Sequence, residues 1–338
     1  MLKKVLAIAV FLSLALGTIA TPLRISLPPL MGAVPVALGV SWGLFQEEGV
    51  EVELVPLARR RDRMAAFQAG QLDGLVTDLT SALMLAAMLP REVVFLSTAY
   101  YPVEQTRPHL ALITQVYSGI EDLSQLSARA AESRLKLALP RQSDLEFALD
   151  TLLLSQGLIP PTQAYIGQDS LLVNASWVLM GMVEGGVFPQ PYVDYLLHYD
   201  YEGKPELVVL SWFPGVPYPP TVIVFRRSVL EERAVEVAEF RQALELSVQR
   251  INSAGRQELI DIGWQLAVEL FFPGLLGQEL EPEFQARLEA AITAVAIPTF
   301  PLPGPVPQDI FQQVLSWAEG KGYLVREVSY QEVMASRP

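Results

Sequence analysis

The stretch Ala69–Asp78, AGQLDGLVTD, decides the fold because it returns in altered form at Met180–Pro191 as MGMVEGGVFPQP. Both copies contain a glycine, then leucine or valine, an acid, a second glycine, any residue and a valine. Helix-like runs precede both copies, and Gly70 and Gly181 suit the left-handed conformation that ends a helix. Each copy therefore predicts a helix, a stop and a strand.

The two predicted strands end in residues that could contact a ligand. Thr77 and Asp78 end the first strand, and Phe188 and Gln190 lie at the end of the second. In open α/β sheets, ligands collect beyond the carboxyl ends of the strands. Two such strand ends predict two similar domains that face each other across a cleft.

The first twenty residues resemble a secretory signal. Met1–Ala20 has two lysines, then the apolar run Val5–Leu16, then small residues, and we expect cleavage after Ala20. The apolar run is shorter than the roughly 20 residues that a membrane-spanning helix needs. An uncleaved membrane anchor is the alternative interpretation.

Composition predicts an exported, folded protein. The 338 residues suffice for two domains, and 51% hydrophobic with 18% charged residues argues against disorder. The chain has no cysteine, which excludes disulfides and a lipid-modified N-terminal cysteine, so we expect free diffusion in the periplasm. Cleavage after Ala20 would remove two lysines and change the net charge from −13 to −15. This charge disfavours nucleic acid as a partner.

Outward from the first motif, the pattern predicts strand–helix–strand units. Leu23–Leu27, Val34–Glu48 and Val50–Pro56 form one unit, and the loop at Met31 and Gly32 would present the helix N-terminus to an anion or a carbonyl. Asp78 could cap the next helix or accept a hydrogen bond from a ligand. Tyr100 ends a further strand and offers a stacking surface.

The pattern restarts at Gly119, and a second receptor follows. After the predicted strand Leu135–Leu139, the turn Arg141–Ser143 combines a guanidinium, Gln142 and a capping box that opens a helix. This turn is the best anion receptor in the sequence, although a solvated arginine beside a routine cap explains it equally well. From Ser228 onward the chain is predicted to be mostly helical.

The restart also predicts how the chain divides. We expect residues 21–115 and 221–338 to form one discontinuous domain, and 116–220 the other. The segment Trp212–Pro220, rich in proline and glycine, would be a crossing between them.

Several segments resemble one family. These are Gly43–Glu53 (GLFQEEGVEVE), Ala69–Asp73, Gly119–Leu123, the second motif, and Trp317–Leu324 with Tyr330. They are similar to the extracytoplasmic solute-binding proteins of ABC importers, in the group that binds nitrate, taurine, alkylsulfonates and thiamine pyrimidines. One position departs from the pattern, because Gln190-Pro191 stands where relatives usually carry Glu-Pro.

The resemblance implies a fold and a function. The fold is α/β, the type II periplasmic-binding-protein arrangement: two domains, each a mainly parallel sheet flanked by helices, joined by two crossing segments. The protein would bind a small-molecule ligand by closing like a hinged clamp, and would deliver it to the membrane permease and so, indirectly, to its ATPase. We expect a monomer that needs no cofactor.

Two other classes of function, an enzyme and a sensor or accessory protein, could use the same fold. A pyrimidine-synthesising relative shares the fold but uses a cysteine-rich run with histidine, whereas this chain has no cysteine and only His109 and His198. An enzyme and a metal site are therefore not expected. A periplasmic sensor or accessory protein with the same clamp remains an alternative.

The ligand could belong to either of two classes. An oxyanion would use the donors of Gly32, Arg141 and Ser143, whereas a flat heterocycle would stack on aromatic rings, with Asp78 or Gln190 at its polar edge. The aromatic residues and the acidic charge favour a neutral or aromatic organic solute. The candidate site residues are Met31, Gly32, Trp42, Thr77, Asp78, Tyr100, Arg141, Gln142, Ser143, Phe188, Gln190 and Tyr192.

Overall fold

The structure is a computed structural model that describes residues 21–57, 59–102, 109–132, 134–213, 215–271, 281–294 and 297–335. The predicted signal segment Met1–Ala20 lies outside these residues. The strands are β1 Leu23–Ser26, β2 Val52–Leu54, β3 Gly74–Asp78, β4 Val93–Tyr100, β5 Leu110–Gln115, β6 Leu137–Ala138, β7 Gly185–Pro189, β8 Leu207–Trp212 and β9 Thr221–Arg226. The helices are α1 Val34–Ser41, α2 Leu44–Glu47, α3 Arg60–Gln68, α4 Leu79–Met88, α5 Leu123–Ala131, α6 Asp144–Ser155, α7 Leu171–Leu179, α8 Tyr192–His198, α9 Arg227–Glu232, α10 Ala234–Ser253, α11 Arg256–Phe271, α12 Pro282–Ala294, α13 Gln308–Gly320 and α14 Tyr330–Val333.

These strands form two sheets of the same design. The first sheet has the order β2-β1-β3-β9-β4, and the second has the order β6-β7-β5-β8. In the first sheet only β9 runs antiparallel to its neighbours, and in the second only β5 does. The prediction of an α/β fold with two mainly parallel sheets is confirmed.

The repeated motif occupies equivalent positions in the two sheets. Its strands, β3 and β7, each lie between a parallel and an antiparallel neighbour. Gly70 (φ 71°) and Gly181 (φ 70°) both adopt the predicted left-handed conformation. The acid of each copy binds the neighbouring parallel chain, because Asp73 accepts the backbone N–H of Arg24 (2.8 Å) and Glu184 that of Lys136 (2.7 Å).

The second glycine of each motif is required by close backbone packing. A Cβ atom on Gly74 would lie 2.8 Å from the carbonyl oxygen of Val224, and one on Gly185 would lie 2.3 Å from that of Ile113. Both carbonyls belong to the antiparallel neighbour of the motif strand. The second glycine of the motif therefore marks a strand that packs closely against its antiparallel neighbour.

Alternation along the strands covers both faces of the first sheet with apolar side chains. Leu75, Val222 and Val224 join the core on one face, whereas Val76 and Ile223 join the core on the other. A third apolar core surrounds the second sheet. Helices therefore cover both sheets, as a mainly parallel sheet requires.

The chain crosses between the sheets twice, and the first crossing comes earlier than predicted. Strand β5 pairs with β7 and β8 in the second sheet, although the sequence placed Leu110–Gln115 in the first domain. The chain therefore passes to the second sheet between β4 and β5, and returns to the first between β8 and β9. The sequence could not show this, because a buried strand reads the same in either sheet.

The C-terminal helices span both sheets. Helix α10 packs on α1 and α2, and α14 packs against β4 of the first sheet. Helix α13 contacts α4 after the first motif and α6 in the second half, and α12 packs on α8. The segment after β9 therefore holds the two halves together.

The predicted helix Val34–Glu48 is divided into two, because Gly43, with a φ of 76°, separates α1 from α2. Arg233 likewise separates α9 from α10. A left-handed residue breaks the helical hydrogen-bond ladder, which explains the first division. Among the described residues, no helix is both long and apolar enough to cross a membrane.

Candidate functional site

A cleft lies where strands of both sheets end. Its main cavity, of about 60 Å³, has walls from both halves of the chain. The lining residues are Pro28, Pro29, Leu30, Arg60, Arg63, Asp78, Pro140, Ser143, Asp144, Leu145, Asp169, Leu171 and Tyr218. Since one water needs about 10–15 Å³ on this scale, the cavity has room for a few water-sized groups. The two halves are thus closely apposed.

A second cavity of about 20 Å³ adjoins the first. It is lined by Leu30, Met31, Tyr100, His109, Pro189, Gln190, Tyr218 and Thr221. Leu30 and Tyr218 line both cavities, so the two cavities are neighbours.

The N-terminus of α4 forms one wall of the main cavity. Asp78 ends β3 and caps the helix, accepting hydrogen bonds from the N–H (3.0 Å) and the hydroxyl (2.7 Å) of Ser81. The structure thus confirms the capping role for Asp78. Helix α4 has no acid of its own in its first turn.

The opposite wall supplies an acid to this helix. Asp144, at the start of α6, accepts hydrogen bonds from the N–H groups of Leu79 (2.9 Å) and Thr80 (2.9 Å). It also accepts one from the Thr80 hydroxyl (2.6 Å). A carboxyl group of the second half therefore occupies the helix terminus that a bound anion would use.

Burial makes this carboxyl group a weak acid. Burial, and then the nearby Asp78 carboxylate, raise the pKa of Asp144 from 3.8 to about 8. The hydrogen bonds from Thr80 and Leu79 act in the opposite direction. The Asp78 carboxylate, which lines the same cavity, thus disfavours a charge on Asp144.

Two arginines of α3 bring positive charge to the cleft. Arg60 crosses it, donating to the backbone oxygens of Gln142 and Arg141 and to the Asp169 carboxylate (3.0 Å). Arg63 is buried and donates to the carbonyl of Leu57 (2.9 Å). Burial lowers the pKa of Arg63 to about 10, which leaves the guanidinium charged at neutral pH.

The face of α6 away from the cavity carries two more buried acids. Lys321, just after α13, lies 3.2 Å from a Glu146 oxygen and 2.6 Å from an Asp150 oxygen. The Tyr323 hydroxyl donates to Glu146 (2.9 Å), and the Trp317 indole N–H donates to Asp150 (3.0 Å). Helix α6 is therefore bound by polar contacts on both sides.

Tyr218 comes from the returning crossing. Its ring packs edge-on against His109, at the end of the first crossing, with the ring centroids 5.7 Å apart. Burial raises the pKa of Tyr218 well above its ordinary value, and the charges of Asp144 and Asp78 add to the effect. The hydroxyl therefore stays protonated near neutral pH and can donate a hydrogen bond.

Five of the twelve predicted residues line the two cavities: Met31, Asp78, Tyr100, Ser143 and Gln190. Tyr100 packs on Phe300, with the ring centroids 5.2 Å apart, and burial raises the pKa of its hydroxyl to about 12. Thr77 is buried directly before Asp78, and its hydroxyl lies 3.4 Å from the Asp78 carboxylate.

The other predicted aromatic residues are used in packing. Trp42 lies at the C-terminal end of α1, with the Arg250 guanidinium 4.4 Å from its ring centroid. Phe188 is fully buried in the core of the second sheet. Tyr192 packs on Phe271, and its hydroxyl donates to the Pro29 carbonyl (3.3 Å).

The predicted anion donors pack against or bind other parts of the protein. Gly32 packs against Thr221, whose Cβ would lie 2.5 Å from a Cβ on the glycine. Arg141 points toward Tyr323 (3.3 Å), and the backbone N–H of Gln142 donates to Glu146 (2.7 Å). Arg141 and the N–H of Gln142 are therefore already engaged within the protein.

The sequence reading missed five polar residues that line the main cavity: Arg60, Arg63, Asp144, Asp169 and Tyr218. One available signal was the run Arg59-Arg60-Arg61-Asp62-Arg63, which is dense in charge for so apolar a chain. Asp144 was visible as part of the capping box. Only the apposition of the two halves showed that it reaches the other helix.

Comparison with known proteins gives a fold. No protein-family model and no curated protein match the sequence. The solved structures that match include the alkanesulfonate-binding protein SsuA from Xanthomonas axonopodis pv. citri bound to MOPS, with a TM-score of 0.68 and 13% identity, covering 93% of this chain and 98% of that one.

Two further structures agree. The periplasmic aliphatic sulphonate binding protein SsuA from Escherichia coli has a TM-score of 0.66 and 12% identity, and covers 94% of this chain and 92% of its own. The periplasmic nitrate-binding protein NrtA from Synechocystis PCC 6803 has a TM-score of 0.64 and 13% identity, and covers 93% and 86%. At such identities the likeness establishes architecture alone. The chain therefore has the two-domain α/β fold of periplasmic binding proteins.

Proposed function

We propose that this protein is the extracytoplasmic solute-binding component of an ABC importer. It would capture a small organic solute in the cleft and deliver it to a permease. The observation that carries this proposal is the main cavity, which lies at the carboxyl ends of strands from both sheets and takes polar walls from both. A solute held there contacts both halves, which gives closure its driving force.

The proposed division of the chain follows from the two crossings. One domain would contain the first sheet and the C-terminal segment that follows β9, and the other would contain the second sheet. Opening would occur about the connections from β4 to β5 and from β8 to β9, where the chain passes between the sheets. During this motion α13 would have to part from α4 or from α6, and α12 from α8, because these helices pack across the proposed division.

The proposed solute contacts are the residues that line the two cavities. Within that set, Tyr218 and Tyr100 offer ring surfaces, and Gln190 offers an amide. An organic solute with an aromatic or otherwise apolar body suits these surfaces. Catalysis is not part of the proposal, because the cavity residues present no nucleophile beside a general base.

Native mass spectrometry of the protein purified from its own host tests the proposal. We expect one small molecule per chain, lost on unfolding and regained on refolding with the extracted solute. The control variant Arg250→Ala should retain the solute, because Arg250 packs on Trp42 and does not line either cavity. Conversion of the solute to a released product would contradict a binding role.

A periplasmic sensor with the same clamp is the competing function. The two differ in what the loaded protein stimulates. Addition of the solute-loaded protein to its reconstituted permease and ATPase should raise ATP hydrolysis for an importer component. No stimulation, with solute binding intact, would favour the sensor.

A further inference from the structure

We propose that Asp144 determines the charge of the accepted solute. Its carboxyl group occupies, from the second half of the chain, the N–H groups of α4 that an oxyanion would need, so the cleft selects a solute without negative charge. This inference rests on the proposed function and narrows its substrate class.

The N–H donors at the start of α4 are already bound within the protein. The N–H groups of Leu79 and Thr80 are bound to Asp144, and that of Ser81 is bound to Asp78. In a helix without such caps, these are the N–H groups that attract an anion. An oxyanion could reach them only by displacing the Asp144 carboxyl group.

The cationic groups of the cleft already lie beside carboxylates. Arg60 is bonded to two carbonyl oxygens and to Asp169, all on the opposite wall. Arg63 donates to Leu57 and lies near Asp78. The charge of each guanidinium therefore already faces a carboxylate, and the cavity lining has three carboxyl groups for two guanidinium groups.

The N-terminus of α6 also lies in the cavity wall. Ser143 donates its hydroxyl to the Pro140 carbonyl (2.6 Å) and accepts the N–H of Glu146. The N–H of Gln142 is bound by the Glu146 carboxylate. These donors of the helix start are thus bound within the protein, and an anion placed beside them would face the Asp78 carboxylate in the same cavity.

The test is chemical rescue of a truncated side chain. The Asp144→Ala variant removes the carboxyl group and leaves the donors of α4 in place. Formate and methanesulfonate are the probes, and the thermal unfolding midpoint of the mature protein is measured against their concentration. Asp122→Ala is the matched control, since Asp122 caps α5 through the N–H of Gln125.

We expect formate and methanesulfonate to raise the midpoint of Asp144→Ala, with apparent affinities about 10- to 100-fold tighter than for the wild type, since each anion would accept charge-assisted hydrogen bonds from the N–H groups that Asp144 leaves. Asp122→Ala should respond like the wild type. Asp144→Asn keeps an oxygen at the same place and should respond between the two. A wild type that binds these anions as tightly as Asp144→Ala would overturn the inference.

Further outcomes separate this inference from the proposed function. If Asp144→Ala does not fold, an Asp144→Asn variant that responds no more than the wild type overturns the inference. A sulfonate or nitrate that co-purifies in the wild-type cleft overturns it too, and leaves the binding function standing. Rescue by anions, with no solute in the native protein, supports the role of Asp144 and counts against the transport proposal.

Discussion

Helices α4 and α6 begin on opposite walls of the same cleft, and they differ in how their N-termini are neutralised. Each helix start carries a positive partial charge of about half a unit, so the two ends repel when the cleft is closed. Helix α6 has two acids in its first turn, Asp144 and Glu146, whereas α4 has none. Asp144 is shared with α4. The comparison shows that one helix can provide the cap of another, and that this binds two halves of a chain.

The two sides of α6 also differ in the kind of contact they make. Toward the cavity, Asp144 binds neutral backbone and hydroxyl donors. On the other side, Glu146 and Asp150 bind the charged amine of Lys321. The first contact depends on helix geometry and the second on charge, and substitutions can separate them.

The largest expected effect comes from Lys321→Met. Its loss leaves the fully buried Glu146 and Asp150 carboxylates without their cation, and breaking a buried pair in this way costs about 3–5 kcal/mol. Urea unfolding measures the loss. Arg141→Ala is the control, because that half-exposed side chain lies 3.9 Å from the same Glu146 and should cost less than about 1 kcal/mol. Equal losses would show that burial of the lysine is unimportant.

A smaller loss of stability is expected at the shared cap. Asp144→Ala leaves buried donors of Leu79 and Thr80 unsatisfied, which costs about 1–3 kcal/mol. Ser143→Ala removes the ordinary cap of α6 and should cost about 1 kcal/mol. Both are measured by urea unfolding at the same pH. A greater loss for Ser143→Ala would mean that α4 does not depend on the other wall.

Affinity for the solute should depend on the Tyr218 ring and not on Arg141. We expect Tyr218→Ala to weaken binding of the native solute by about 1–3 kcal/mol, by analogy with stacking on aromatic side chains. Arg141→Ala should leave affinity unchanged, because this arginine points toward Tyr323. Calorimetry with the solute extracted from the native protein measures both. A weaker affinity for Arg141→Ala alone would restore the oxyanion receptor predicted at this turn.

A dependence of stability on pH is also expected. The pKa of Asp144 rises from 3.8 to about 8 on folding, so the folded protein binds more protons than the unfolded chain between these values. The stability contributed by this group is therefore complete below about pH 4 and is lost as the pH rises toward 8.

The measurement is the difference in thermal midpoint between the wild type and Asp144→Asn. This difference should fall steadily from pH 5 to pH 8, because the asparagine does not titrate. The subtraction removes the contributions of other groups, including His109 and His198. A difference that rises with pH would show that Asp144 is stabilised in its charged form.

Local sequence rules predicted much of the architecture. Gly70 and Gly181 end helices, and Asp78 caps α4. These features depend on residues close in sequence. They could therefore be found in the printed chain.

The site was predicted less completely, and Arg141 shows why. Its position beside a strand end and a capping box fits an anion receptor, yet Tyr323, far away in sequence, draws it to another surface. Trp42 and Phe188 were likewise assigned to a ligand because they are aromatic and near strand ends. Packing uses both of them elsewhere.

The sequence by itself determined the local elements: the two motifs, their strands and caps, and the α/β class. Their causes are backbone sterics and hydrogen bonds that act over a few residues. Only the tertiary structure decided that β5 joins the second sheet, that Tyr218 lines both cavities and that Asp144 caps a helix of the other half. These contacts join residues that are distant along the chain, and their energies depend on burial and apposition that no local pattern encodes.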